Sequence, residues 1–214
     1  MEIVRLGRDG LQRYLLRQLD QYFPDQRDCA EAVQAHLDEA LQRLQRCING
    51  VRVWPQDSFD YLHSTQYCLF LYYLSNTIWR RSGQTEVPTK LFLLNKALNG
   101  IDCFYEIELP EVFFIGHSVG IVLAKANYGE HLVLYQNSTV GKNHGVAPVI
   151  EAGVVMYANT AIIGSSLVRA GSVVSQGVSV IDQDTPGNTL VFAGGAGLLR
   201  FKPLRRSLLD DFFR

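Results

Sequence analysis

An α+β chain is predicted, with a helical N-terminal domain followed by a parallel β-helix of hexapeptide repeats. Three observations predict it. Apolar residues keep helical spacing through the first half; from about Asp102 onward Gly, Val, Ile, Ser and Thr replace the helix formers; and Ile150, Met156, Ile162, Val168, Val174 and Val180 recur six residues apart. At 214 residues and 47% apolar content the chain is long enough to bury a real core, in one good-sized domain or two small ones.

In "DCAEAVQAHLDEALQRLQRCI" Val33, Leu37, Leu41 and Leu44 fall four and three apart among charged and amide side chains. Asp28 is the expected cap, and Asn49-Gly50 the stop. A second helix is expected over 59–81. Its apolar run "YCLFLYYLSNTIW" contains Ser75 and Asn76 and is too short to span a bilayer, so it reads as a buried helix. A third helix is expected over 90–98, with "SGQTEVP" as the connection. The boundary falls near Asn99-Gly100, which gives a helical domain over 1–99, a β-helix over 100–197 and a basic tail over 198–214.

In the second half the six-residue step extends upstream through Val122, Tyr128, Leu134 and Val140. A step of ten then leads to Ile150, which is one repeat plus a four-residue insertion that keeps the phase. Four places after each downstream apolar residue comes a small or β-branched one: Val154, Thr160, Ser166, Ser172 and Val178. Gly, Asn or Ser precedes each of them. Every unit is thus a short strand with one inward residue and a bend. Such strands bury a face only by stacking coil on coil, about 4.8 Å apart. A β-sandwich would need hairpin signals that the repeat lacks. His117 and Val122 stand five apart rather than six, so the register is looser there.

Composition narrows the partners. With 20 basic and 21 acidic residues and a net charge of −1, the chain shows no electrostatic footprint for nucleic acid or an anionic membrane, so a small-molecule partner is expected. Cys29, Cys47, Cys68 and Cys103 form no C-x-x-C pair, which argues against zinc or redox motifs. The opening "MEIVRLGRDG" lacks a signal peptide's apolar stretch, and a cytoplasmic protein is expected.

The hexads, preceded by "DCFYEIELPEVFFIGHSVGIVL" and followed by "AGGAGLLRFKPLRRS", resemble the hexapeptide-repeat acyltransferases, most closely serine O-acetyltransferases, over about residues 59–196. The resemblance implies a left-handed β-helix, an exception to the usual right-handed crossover. It implies acetyl-CoA as co-substrate, no metal, and a homotrimer or dimer of trimers; by strand alternation Tyr157 and Ile163 face outward, apolar where solvent prefers charge, and are expected at the contact. His117 matches the family's catalytic histidine, and Asp102, fifteen residues upstream, the aspartate that orients it. An imidazole can take the proton of an attacking hydroxyl, and a carboxylate fixes its tautomer. Gly141, Ala158 and Ala170 match thioester and pantetheine contacts. Arg200 and Lys202, with Arg205 and Arg206, suit the nucleotide phosphates.

The acceptor side departs from the family. Gly116 replaces the aspartate that usually precedes the histidine, and Val146-Ala147 replaces an Arg-His pair. His144, in the insertion "GKNHGVAP", is a candidate substitute contact. The acceptor hydroxyl is therefore open between serine and a sugar or another small metabolite, as in the acetyltransferase-like proteins of surface-polysaccharide pathways. Two other classes are weighed: a non-catalytic assembly or regulatory scaffold, and a zinc hydratase of the γ carbonic anhydrase type using His117, His131 and His144. The latter family's close histidine pair is absent.

Overall fold

The computed structural model describes residues 1–214, which form two compact units, Met1–Glu106 and Ile107–Arg214. The first contains β1 (Glu2–Ile3), α1 (Gly7–Tyr22), α2 (Ala30–Gly50), β2 (Ser58–Phe59), α3 (Ser64–Ser82), α4 (Glu86–Asn99) and β3 (Asp102–Cys103). α1 buries Leu11, Leu15 and Leu19, one per turn. α2 buries Val33, Leu37 and Leu44 as expected, and also Ala40, Cys47 and Ile48. The Asp28 carboxylate accepts from Ala30 N at 2.7 Å, and the helix stops at Gly50.

α3 begins at Ser64, later than the expected 59, because Ser58–Phe59 pairs in parallel with Glu2–Ile3. Its first turn is closed by His63, whose Nδ1 accepts from Gln66 N at 3.4 Å. Every residue from Thr65 to Ile78 is buried, so α3 is the axis of this unit. Inside it Ser75 Oγ donates to Tyr72 O and Asn76 Nδ2 to Tyr105 O, while Asn76 Oδ1 is left without a hydrogen bond. α4 begins at Glu86 rather than 90, since Pro88 sits in the first turn where its missing N–H costs nothing. No helix is long and apolar enough to cross a membrane. All four cysteines are buried free thiols, and burial pushes Cys68 up to about 12.

The second unit is a solenoid of short strands. These are β4 (Phe114–Ile115), β5 (Val122–Leu123), β6 (Asn127–Tyr128), β7 (Val133–Leu134), β8 (Thr139–Gly141), β9 (Val149–Ile150), β10 (Val155–Met156), β11 (Ala161–Ile163), β12 (Leu167–Val168), β13 (Val173–Val174), β14 (Ser179–Ile181), β15 (Thr189–Ala193) and β16 (Leu199–Pro203). They stack into three parallel sheets. The first runs β4-β7-β10-β13-β15, the second contains β5-β8-β11-β14, and the third is β6-β9-β12.

Register makes the hexads into columns. Ile115, Leu134, Met156, Val174 and Val191 align in the first sheet, Val140, Ile162 and Val180 in the second, and Tyr128, Ile150 and Val168 in the third. The residues two places earlier, Val154, Thr160, Ser166, Ser172 and Val178, are also buried. Their hydroxyls pair across coils, Ser172 with Thr185 at 2.7 Å. The bends turn through left-handed backbone at Gly153, Asn159, Gly171 and Gly177.

One position of the expected column is corrected. Leu123, not Val122, aligns with Val140; Leu123 is 5% exposed and Val122 44%. The short step therefore falls after the strand, from Leu123 to Tyr128, where the Tyr128 hydroxyl donates to Ala124 O at 2.6 Å and closes a tight corner. Upstream, eight residues separate Ile115 from Leu123 against six between Leu134 and Val140, a two-residue bulge. The insertion after β8 is a hairpin: Asn143 and Val146 exchange backbone bonds of 3.0 and 2.9 Å around His144 and Gly145, both at positive φ.

Residues 198–214, read above as a basic tail, open with β16, antiparallel to β15. The chain then returns over the solenoid. Phe212 lies 5.6 Å from Phe114, and Phe213 lies 4.8 Å from the ring of His131. Leu209 presses on Gly153, where a Cβ would fall 2.8 Å from its Cδ1. The turn is clasped by Arg206, which donates twice to Asp211 at 2.9 and 2.8 Å. A cavity of 220 Å³ remains between this segment and the corner carrying Ala152 and Ala170.

Candidate active site

Three corners join the sheets, and the expected site residues divide among them. The corner from the first sheet to the second carries Gly116 and His117 after β4, Tyr135 and Gln136 after β7, and Tyr157 and Ala158 after β10. The backbone ladder runs on into it: Gly116 N donates to Leu134 O, Tyr135 N to Met156 O and Asn159 N to Gln136 O. His117, Gln136 and Ala158 thus hold one position in successive coils. At Asn137 the ladder shifts, its N–H going to Val119 O instead of His117 O, because of the two-residue bulge. The bulge leaves His117 exposed, with no other side chain of its unit engaging the ring.

Gly116 is glycine for a packing reason. A Cβ there would lie 2.6 Å from Tyr135 Cε1, so the tyrosine ring occupies the space a side chain would need. Tyr135 stacks on Tyr157 with centroids 5.5 Å apart and meets Phe114 edge-on at 6.3 Å. Burial, then the neighbouring Tyr157, push the Tyr135 phenol above its usual range.

The corner from the second sheet to the third carries Gly141 and the His144 hairpin. Gly141 faces Ile163, and a Cβ would meet that side chain only at an ordinary 3.5 Å, so internal packing does not demand the glycine. The hairpin is pinned by Asp182, which accepts from Asn143 Nδ2 at 2.6 Å and Ser165 N at 2.8 Å. The Ser165 amide first, then Asn143, hold this carboxyl below its usual range.

Ala170 lies at the remaining corner, beside the C-terminal segment. Arg200 and Lys202 stand on β16, five strand steps from β4, or about 24 Å at the usual 4.8 Å spacing. Neither forms an ion pair. Arg206 is committed to Asp211. Asp102 belongs to the first unit, on β3, where its Oδ2 accepts from Lys96 Nζ at 2.7 Å. His117, His131 and His144 occupy three different corners, and no three His, Cys, Asp or Glu residues gather as a metal set. The structure therefore brings His117, Gly116 and Ala158 together and separates Gly141, His144, Ala170, Arg200 and Lys202 from them within the chain. Sequence reasoning missed Tyr135, Gln136 and Asp182. Their signal was positional, one or two places after an inward residue.

A helical domain joined to a parallel β-solenoid is the class that this architecture defines. Among solved structures it is shared with serine acetyltransferases. That of Neisseria gonorrhoeae superposes with a TM-score of 0.69 at 16% identity over 93% of this chain and 79% of its own. That of Brucella abortus strain S19 gives 0.67 at 17% over 93% and 86%, and that of Vibrio cholerae gives 0.66 at 20% over 92% and 80%. The N. gonorrhoeae enzyme, with a TM-score of 0.68, and the soybean enzyme, with 0.62, have also been solved with serine bound. No family model matches the chain, and no curated protein matches it by sequence. Likeness at this identity establishes the fold.

Proposed function

We propose that the protein is an acyl-CoA-dependent O-acetyltransferase that moves an acetyl group from acetyl-CoA to a hydroxyl of a small acceptor. The observation that carries this reading is His117, lifted into solvent by the bulge and sharing one corner position with Ala158, on the fold of serine acetyltransferases. In the proposed reaction the imidazole of His117 takes the acceptor's hydroxyl proton as the oxygen attacks the thioester carbonyl. The tetrahedral adduct then collapses, the C–S bond breaks and the proton passes to the departing thiolate. Asp102 is proposed to orient the ring through Oδ1, its other oxygen being held by Lys96. Ala158, and Gly141, whose packing on Ile163 does not demand a glycine, suit the narrow pantetheine arm; Arg200 and Lys202, free of carboxylates, suit the phosphates.

The serine complexes of two structural neighbours support a small hydroxyl acceptor. A homotrimer or dimer of trimers is part of the proposal, with the outward pair Ile163 and exposed Ile181 at the contact. Tyr157, expected there too, stacks on Tyr135 of its own chain. Thiol release from acetyl-CoA, followed with serine, homoserine and amino or deoxy sugars, tests the activity. Turnover with at least one acceptor, lost in His117→Ala, is expected, and full activity in that variant would end the mechanism. Light scattering that returned a 24.1 kDa monomer would remove the trimer.

A further inference from the structure

The corner holding His117 carries features that the acetyl-transfer chemistry does not use. Tyr135 fills the place of a side chain at position 116, so that position supplies no carboxylate to hold an acceptor. The Tyr135 and Tyr157 rings form a stacked pair whose side chains are only half-buried. Gln136, one coil on from His117, has its Oε1 shut off from solvent with no hydrogen bond, while the rest of its side chain is partly open. The neighbouring coil positions Ala158, Ser175 and Gln176 add no charge.

These features choose between acceptor classes. An amino acid brings an ammonium and a carboxylate, and each needs an opposite charge to be held away from water. This corner offers none, and a protonated His117 would no longer serve as a base. A ring with several hydroxyls asks for what is present. Its C–H face packs on an aromatic ring, and a hydroxyl can donate to an amide oxygen whose lack of a partner is costly. To receive a bound hydroxyl, the partly open Gln136 amide would have to turn that oxygen toward the open part of its side chain.

We propose that this corner is a subsite for a neutral sugar-type ring, with the Tyr135–Tyr157 pair as its platform and the Gln136 amide oxygen receiving one of its hydroxyls. The proposal rests on the acetyltransferase reading for its consequence, since it names the acceptor class, but its test does not need catalysis. Saturation-transfer NMR on the full-length protein without acetyl-CoA is run with methyl α-glucoside, methyl α-galactoside, N-acetylglucosamine and serine. Transfer to the ring protons of at least one pyranoside is expected. Gln136→Leu, which keeps the volume, and Tyr157→Ala should each weaken that binding about tenfold at an unchanged melting temperature. Binding of serine alone, binding of none of the four, or unchanged pyranoside binding in both variants would overturn the proposal. Pyranoside binding without thiol release from acetyl-CoA would sink the acetyltransferase reading and leave the subsite standing. Thiol release with serine and no pyranoside binding would do the reverse.

Discussion

At the corner from the third sheet to the first, Gly153 lies under Leu209 and His131 under Phe213, so the chain's own C-terminal segment seals it. At the corner from the first sheet to the second, the same bends carry His117, Gln136 and Ala158 and no segment closes over His117. The inward columns beneath the two corners are alike, Val, Ile, Leu and Met stacked in register. What separates a sealed corner from an open one is therefore written in the outward residues and in two extra residues at the bulge. Stability belongs to the columns, and chemistry to what they display.

Breaking the shared part should affect both corners at once. Ile162 is fully buried between Val140 and Val180. Ile162→Asp would lose about 1.5–3 kcal/mol of burial and add an unpartnered carboxylate. Insoluble or unfolded protein is expected by circular dichroism, and a melt like the parent's would refute the register. At the open corner, His117→Ala should lower kcat by about 10²–10⁴ while acetyl-CoA affinity and melting temperature stay nearly unchanged. Asp102→Asn should act in the same direction, and the double variant should be little worse than His117→Ala alone. Multiplicative losses would show two independent residues instead of an orienting pair.

At the sealed corner the expected effect is on stability alone. Phe213 is buried against His131, and Phe213→Ala should cost about 3–5 kcal/mol, seen as a drop of several degrees in melting temperature with turnover retained. A loss of activity as large as that of His117→Ala would mean that the two corners are coupled. The smallest effect is expected at Asp182. Its carboxyl is held below the usual range by hydrogen bonds from Ser165 and Asn143, so the stability it adds is present above about pH 4 and is lost as pH falls through the depressed value. The melting-temperature gap between the parent and Asp182→Asn should be present at pH 7 and close on acidification. A gap that widened in acid would reverse the assignment.

The inward half of the solenoid was legible because a stacked coil repeats one environment every six residues, so Ile150 through Val180 could be placed without seeing them. Val122 was misassigned by one residue because Val and Leu suit the column equally, and only the pairing of Leu123 with Val140 shows where the short step falls. In the helical half, α3 stood out by its apolar run, but its start did not, since the strand at Ser58–Phe59 depends on Glu2–Ile3, more than fifty residues away. His117 was singled out by its resemblance to a family motif. Tyr135 and Gln136, at the equivalent places one coil on, were not, because coils nineteen residues apart stack, a distance that local spacing does not reveal.

The antiparallel strand β16 has a further consequence. A parallel solenoid has no natural last coil: each strand leaves its outer N–H and C=O groups ready for another, and "TLVFA" in β15 is an apolar edge of that kind. β16 reverses direction, takes up those groups and turns outward Arg200, Lys202 and finally Pro203, which cannot donate. It works as a chain terminator in the polymer sense. A protein cut before Leu199 would keep its inward columns, yet would carry a growing end through which copies could join into filaments.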